Sequence, residues 1–209
     1  ILWNPEGLKI ALIENQHLYL SNLETGLTEE ILQAGQKIDS AQWLNADTLI
    51  VNGGSNIWLL DLSGTDIRVD LIAQNLGGGS YQDGEGFRAL SRINPEINPL
   101  SDVFAFIDNS KENWQIRICT ANGACETVHE SPGVFYGGFS SYVSLDDLRW
   151  SPNGEKLLFV DHAYQPSDAE SENDGPAHTD EESCYYDSHI VVYDRSTREL
   201  QAFDIATIN

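Results

Sequence analysis

The sequence predicts an all-β chain assembled from about four copies of a four-stranded unit. Three observations predict it. One phrase recurs: an aromatic anchor, a Pro-x-Gly turn, an apolar strand, then a second strand ending in a polar turn. The strand-like segments are short, rich in β-branched and aromatic residues, and bounded by Gly, Asn, Asp or Pro. No segment carries a sustained apolar stripe at helical spacing.

The first unit opens on Trp3-Asn4-Pro5-Glu6-Gly7, followed by Leu8-Lys9-Ile10-Ala11-Leu12-Ile13 and then His17-Leu18-Tyr19-Leu20. The second runs from Trp43-Leu44-Asn45-Ala46-Asp47 into Thr48-Leu49-Ile50-Val51 and Asn56-Ile57-Trp58-Leu59-Leu60-Asp61. In the third, Ile93-Asn94-Pro95-Glu96 repeats the Asn-Pro-Glu of the first and leads into Val103-Phe104-Ala105-Phe106-Ile107, then Trp114-Gln115-Ile116-Arg117-Ile118. The fourth opens on Trp150-Ser151-Pro152-Asn153-Gly154, followed by Glu155-Lys156-Leu157-Leu158-Phe159-Val160 and Ile190-Val191-Val192-Tyr193-Asp194. Anchors at 3, 43, 93 and 150 lie 40, 50 and 57 apart. These spacings bracket the roughly 40–50 residues of a β-propeller blade. The expected fold is therefore a β-propeller built from about four four-stranded blades, in a single domain over 1–209. The blades are expected near 1–34, 35–75, 87–131 and 143–209, with an acidic insertion at 161–188. The segment Leu27-Thr28-Glu29-Glu30-Ile31-Leu32-Gln33 is helix-forming by propensity, but it occupies an outer-strand slot and is predicted to be strand.

The Trp/Ile-x-Pro-x-Gly turn with its following apolar strand resembles the TolB-type (WD-like) propeller repeat. Trp150-Ser151-Pro152-Asn153-Gly154-Glu155-Lys156-Leu157-Leu158-Phe159-Val160 is the closest match, and the resemblance covers nearly the whole chain. The second unit departs from it by lacking the Pro and Gly, and the third by lacking the Trp. The resemblance implies relatives among periplasmic Tol-system proteins and among propellers attached to prolyl-oligopeptidase-like peptidases. Many closed propellers complete one blade with strands from both termini, whereas here the first unit begins at an innermost-type strand. The chain is either a rare four-bladed ring or part of a larger one; a partial propeller or open assembly is expected, and its exposed blade edges would invite self-association.

Charge narrows the partners. The 209 residues carry 33 acidic against 11 basic side chains, a net −22. That field repels phosphate backbones and anionic lipid, so no nucleic acid is expected, while cations or a basic protein face are attracted. No apolar run is long enough for a membrane span. No signal peptide is visible, and a chain without Met that opens on Ile1-Leu2-Trp3 is expected to be processed or trimmed. Cys119 and Cys125 flank an Asn122-Gly123 turn, which would bring the sulfurs together across a hairpin. They form a disulfide in an oxidising compartment or two thiols in a reducing one. The expected setting is periplasmic or extracellular.

Two long connections interrupt the repeat. Leu76-Gly77-Gly78-Gly79-Ser80 through Gly86 has the glycines of a phosphate loop but no Lys-Ser/Thr and no following helix, so it reads as an inter-blade loop. Segment 161–187 holds nine carboxylates and no Lys or Arg. It is a solvated acidic loop, a hard-cation site, or a softer metal site. Asp168, Glu170, Glu172 and Asp174 alternate along the chain and would offer oxygen ligands to calcium, without EF-hand spacing. His162, His178, Cys184 and His189 are the nitrogen and sulfur alternative, suited to zinc.

Catalytic motifs are missing. Gly137-Gly138-Phe139-Ser140-Ser141 does not form a nucleophile elbow, and no His-Glu-x-x-His occurs. His17 and His189 head equivalent strands, so a repeat position explains them. Asp146 and Asp147 could face a central opening as an acid–base pair, but a turn-forming pair is the plainer reading. Trp3, Trp43 and Trp150 are expected in inter-blade packing, with Trp58 and Trp114 half-buried. Phe135, Tyr136, Phe139 and Tyr142 form an aromatic, Gly-rich loop suited to binding, beside Asp146 and Asp147. The expected function is a binding or scaffolding module for a protein or peptide partner, not a self-sufficient enzyme. One alternative is the propeller portion of a larger prolyl-oligopeptidase-like hydrolase, gating or positioning substrate. A second is a metal-binding protein using 161–189, with calcium as its cofactor.

Overall fold

Alternating apolar residues between recurring turns fold each unit as an antiparallel meander. The computed structural model describes residues 1–76, 80–83, 86–89, 95–110, 113–132, 145–164 and 186–204. Blade 1 holds β1 (Leu2–Trp3), β2 (Lys9–Glu14), β3 (His17–Asn22) and β4 (Thr28–Gln33). Blade 2 holds β5 (Ser40–Trp43), β6 (Thr48–Gly53), β7 (Asn56–Asp61) and β8 (Arg68–Ala73). A separate ribbon pairs β9 (Ser80–Asp83) with β10 (Gly86–Ala89). Blade 3 holds β11 (Glu96–Ile97), β12 (Val103–Asp108), β13 (Asn113–Thr120) and β14 (Cys125–Pro132). Blade 4 holds β15 (Leu145–Trp150), β16 (Lys156–Tyr164), β17 (Tyr186–Asp194) and β18 (Glu199–Asp204). Within each blade the order in space is the order in sequence. Among the described residues there is no helix. The ladder to β3 overrides the helical propensity of 28–33.

Period-2 alternation gives every inner strand two neighbours. In blade 2, Leu49, Val51, Trp58 and Leu60 pack with Ala11, Leu18 and Leu20 of blade 1. The intervening Ile50, Ile57 and Leu59 pack with Phe104, Phe106 and Cys119 of blade 3. Val103, Ala105, Ile116 and Ile118 then meet Leu157, Phe159, Val191 and Tyr193 of blade 4. Among the described residues no fourth cluster joins blade 4 back to blade 1. The chain is therefore a partial β-propeller with its ring open.

Polar ties set the blade spacing. Trp43 Nε1 donates to Leu2 O at 3.2 Å, and Trp150 Nε1 donates to Glu96 O at 3.0 Å. Both ties run from the end of one innermost strand to the innermost strand of the preceding blade. A carboxamide answers in the other direction: Asn4 Nδ2 donates to Ala46 O at 3.3 Å, and Asn98 Nδ2 to Gly154 O at 2.7 Å. Between blades 2 and 3 the tie is Gln42 Nε2 to Pro95 O, 3.2 Å.

The structure corrects three expectations. The third anchor is Ile97, not Ile93. Ile97 pairs with Phe104 as Trp3 pairs with Ile10 and Trp150 with Leu157. Asn98 N donates to Val103 O as Asn4 N does to Lys9 O, both at 2.9 Å. Secondly, Trp3 is 58% exposed rather than packed, because no described blade precedes it. Thirdly, Trp58 is buried at 8% exposure, while Trp114 is half-buried. Cys119 and Cys125 lie opposite each other on β13 and β14 and are joined by a disulfide. In the turn between them only Gly123 takes a positive φ, of 85°, so the connection is not the paired left-handed turn that Asn-Gly suggests.

Gly7 and Gly154 hold equivalent turn positions at φ 73° and 66°. A Cβ at Gly7 meets nothing within 4 Å, whereas one at Gly154 would lie 2.3 Å from Asn98 Oδ1. Gly7→Ala should cost about 1 kcal/mol of backbone strain, and Gly154→Ala clearly more, in urea-unfolding midpoints. Reduction of the Cys119–Cys125 disulfide should lower stability by about 2 kcal/mol, read as a fall in thermal midpoint on adding dithiothreitol.

Candidate functional site

In an antiparallel meander the first and third turns of each blade share one end. The middle turn and the link to the next blade share the other. The first end is closed by side chains capping their own turns. Asn22 Oδ1 accepts from Glu24 N and Thr25 N, at 2.9 and 3.2 Å. Asp61 Oδ1 accepts from Ser63 N and Oγ, and Asp194 Oδ1 from Ser196 N and Oγ. The Ser63 hydroxyl and amide, with Arg68 nearby, hold the Asp61 carboxyl below its usual range despite slight burial. Ser196 and the Thr197 amide do the same for Asp194. This end carries a shallow polar groove of about 420 Å³ lined by Asp47, Asp61, Ser63, Arg68 and Asn122 among others.

From the opposite end leave the longer connections, 74–95, 133–144 and 165–185. Most sequence-predicted site residues fall there. Phe135, Tyr136, Phe139, Tyr142, Asp168, Glu170, Glu172, Asp174, His178 and Cys184 lie outside the described residues. His162 is on β16 and His189 on β17. Asp146 and Asp147 are not a turn. They lie within β15, where the register to β16 shifts between Asp146 and Arg149 and exposed Asp147 takes φ 52°. Among the described residues no three His, Cys, Asp or Glu side chains come together as a metal site.

At the root of 133–144 and 165–185 the structure builds a polar joint that the sequence did not disclose. Asp161, on β16, pairs with Leu145 of β15 and with His189 of β17. His129 and Ser131 reach it from β14 of blade 3. His129 Nε2 lies 2.8 Å from Asp161 Oδ2, and Ser131 Oγ donates to Oδ1 at 2.7 Å. An ionised carboxylate only accepts, so Nε2 carries the hydrogen. The His129 ring also leans on Phe159, 5.0 Å between centroids. Burial pushes Asp161 up, but the hydrogen bonds from His129 and Ser131, with the charges of His129 and His189, outweigh it and hold the carboxyl below its usual range. Ser131 donates to the carboxylate and not to the imidazole, so the trio lacks the Ser-to-His hydrogen bond of a nucleophilic relay. It works as a clasp between blades 3 and 4. The one sequence signal for it is positional: Asp161 faces His189 as Glu14 faces His17 in blade 1.

No protein-family profile matches the chain, and no curated protein matches it. Solved structures do. The Dos1 propeller is 12% identical with a TM-score of 0.51, over 97% of this chain and 46% of that one. TolB from Acinetobacter baumannii is 14% identical with a TM-score of 0.44, over 92% and 40%. The β-propeller domain of the Trilobed protease from Pyrococcus furiosus, described as having an open velcro topology, is 13% identical with a TM-score of 0.38, over 94% and 43%. At such identities the likeness is one of fold alone, a β-propeller. The chain spans less than half the length of each of the three.

A carboxyl held low in the folded state stabilises above its unfolded pKa and stops doing so as pH falls through the folded value. Asp161→Asn should therefore cost about 1–3 kcal/mol at pH 7. The gap to the unaltered chain should close below about pH 4. Urea unfolding at several pH values measures both.

Proposed function

We propose that the chain is a binding module that docks a basic protein or peptide on the end carrying its long connections. The observation that supports this reading is their segregation. Three long connections, 74–95, 133–144 and 165–185, leave from one end, while capped tight turns close the other. Binding residues on propellers and sandwiches sit on such loops because a rigid frame holds them. Charge gives the partner its sign: nine carboxylates and no Lys or Arg in 161–187, on a chain of net −22, attract a basic segment and repel nucleic acid. Phe135, Tyr136, Phe139 and Tyr142, with Asp146 and Asp147 after them, supply aromatic anchors beside carboxylates, the pairing that recognises Lys- and Arg-rich chains. The Cys119–Cys125 disulfide supports a periplasmic or extracellular setting.

Fluorescence anisotropy tests this with a labelled Lys/Arg-rich peptide and its Asp/Glu counterpart. The basic peptide should bind with micromolar affinity, about tenfold weaker at high salt. Replacing 165–185 by a short Gly-Ser linker should abolish the preference. Equal binding of both peptides, or no effect of the replacement, sinks the reading.

A further inference from the structure

One backbone bond recurs at the tight-turn end of every blade. Leu23 N donates to Leu8 O, Leu62 N to Asp47 O, Ala121 N to Asp102 O and Arg195 N to Glu155 O, all within 3.0 Å. The bond makes these four residues equivalent: each opens the third turn of its blade and leans on the first. In blades 2, 3 and 4 the residue also stands at the junction with the preceding blade. Leu62 fills the junction of blades 1 and 2 as part of their buried cluster, 7% exposed. Arg195 fills the junction of blades 3 and 4. Its guanidinium lies over the Trp150 ring, and Nη1 donates to Ser101 Oγ of blade 3 at 3.1 Å and to Gly154 O at 3.2 Å. Between blades 2 and 3 the equivalent residue is Ala121, with only a methyl. The groove of about 420 Å³ opens there, between Ala121 and Asn122 of blade 3 and Asn45, Asp47 and Asp61 of blade 2. Both blades that border it are present, so the opening comes from a short side chain and not from an absent neighbour.

The lining suits the side chain that the groove lacks. Its two nearby cations are already paired, Lys9 with Asp47 and Arg68 with Asp70. Asp61 is placed differently. Its Oδ1 accepts from Ser63 N and Oγ, while among the described residues its Oδ2 receives no hydrogen bond and the carboxylate forms no ion pair. Ser63 keeps it ionised at neutral pH. Ile97 stands where Trp150 does in blade 4, so a cation entering here meets a carboxylate instead of a ring. A guanidinium is planar, weakly hydrated and carries five donors, which fits a carboxylate flanked by turn carbonyls. An anion would meet Asp47 and Asp61 instead.

We propose that the groove between blades 2 and 3 binds one guanidinium, that of an arginine side chain presented by a partner. It sits on Asp61, in the place that Arg195 fills from within the chain at the next junction. The site lies at the end opposite the long connections. It is therefore independent of the docking proposed above, and replacing 165–185 leaves it intact. Two substitutions isolate it. Asp61→Asn removes the charge and keeps the turn, since Asn22 in the equivalent place caps its own turn through the same Oδ1. Ala121→Arg supplies the guanidinium from within the chain and occupies the groove.

Nuclear magnetic resonance titration of the 209-residue chain with N-acetyl-arginine amide tests this, with the neutral citrulline analogue as control. The amide signals of Asp47, Ser63 and Asn122 should shift and saturate with a Kd of about 1 mM, and the citrulline analogue should leave them in place. Asp61→Asn should weaken binding about tenfold, and Ala121→Arg should abolish it, both with unchanged circular dichroism. If Ala121→Arg does not fold, Asp61→Asn decides alone. Shifts that do not saturate, an equal response to the citrulline analogue, or undiminished binding by either folded variant overturns the proposal.

Discussion

The tie from a side-chain N–H to a backbone oxygen at the innermost strands recurs at all three blade junctions, and the stacking of blades is organised around it. A blade in this chain has apolar residues on both faces, so no blade can bury its core alone. Burial works only if neighbours stand at one spacing and in one register. At two of the three junctions Trp43 and Trp150 serve both, with a ring packed at the junction and an N–H aimed at one backbone oxygen; at the middle junction the Gln42 carboxamide takes that place. A single such bond contributes only about 1 kcal/mol net, but it selects which side chains then interdigitate. The junction of blades 3 and 4 elaborates it most. Glu96 takes the indole on its carbonyl and Arg149 on its carboxylate, at 2.5 Å. Arg195 lies over the Trp150 ring and donates to Gly154 O and Ser101 Oγ.

The same residues show how far the sequence could be read. Strands, turns and blade grammar are local, so alternation and Gly, Asn and Pro placement reveal them, and even 28–33 is resolved by its slot in the repeat. The third anchor was not legible, because Ile-Asn-Pro occurs twice, at 93–95 and 97–99. Only the long-range pairing of Ile97 with Phe104 chooses between them. Trp3 misleads for a related reason. Its local phrase matches that of Trp150, but burial is supplied by a neighbour and not by the phrase. The Asp161 joint was hidden because His129 and Ser131 stand 32 and 30 residues away, across a blade boundary.

Part of the acidic excess serves the turns. Asp61, Asp108 and Asp194 each cap a serine two residues on, in Asp-Leu-Ser, Asp-Asn-Ser and Asp-Arg-Ser. Asp108 also receives Arg117, whose guanidinium lies over Phe106. These carboxylates are structural, one in each of blades 2, 3 and 4, whereas blade 1 caps its third turn with the uncharged Asn22.

The paired ends of β16 and β17 carry a last implication. Tyr164 and Tyr186 face each other across the ladder, so everything between them is attached at two adjoining points. A stretch of any length spliced between those points adds closure entropy that grows only slowly with its size. The ties between blades described above are all made by residues outside that stretch. The paired ends of β16 and β17 thus form a two-point attachment suited to grafting foreign sequence.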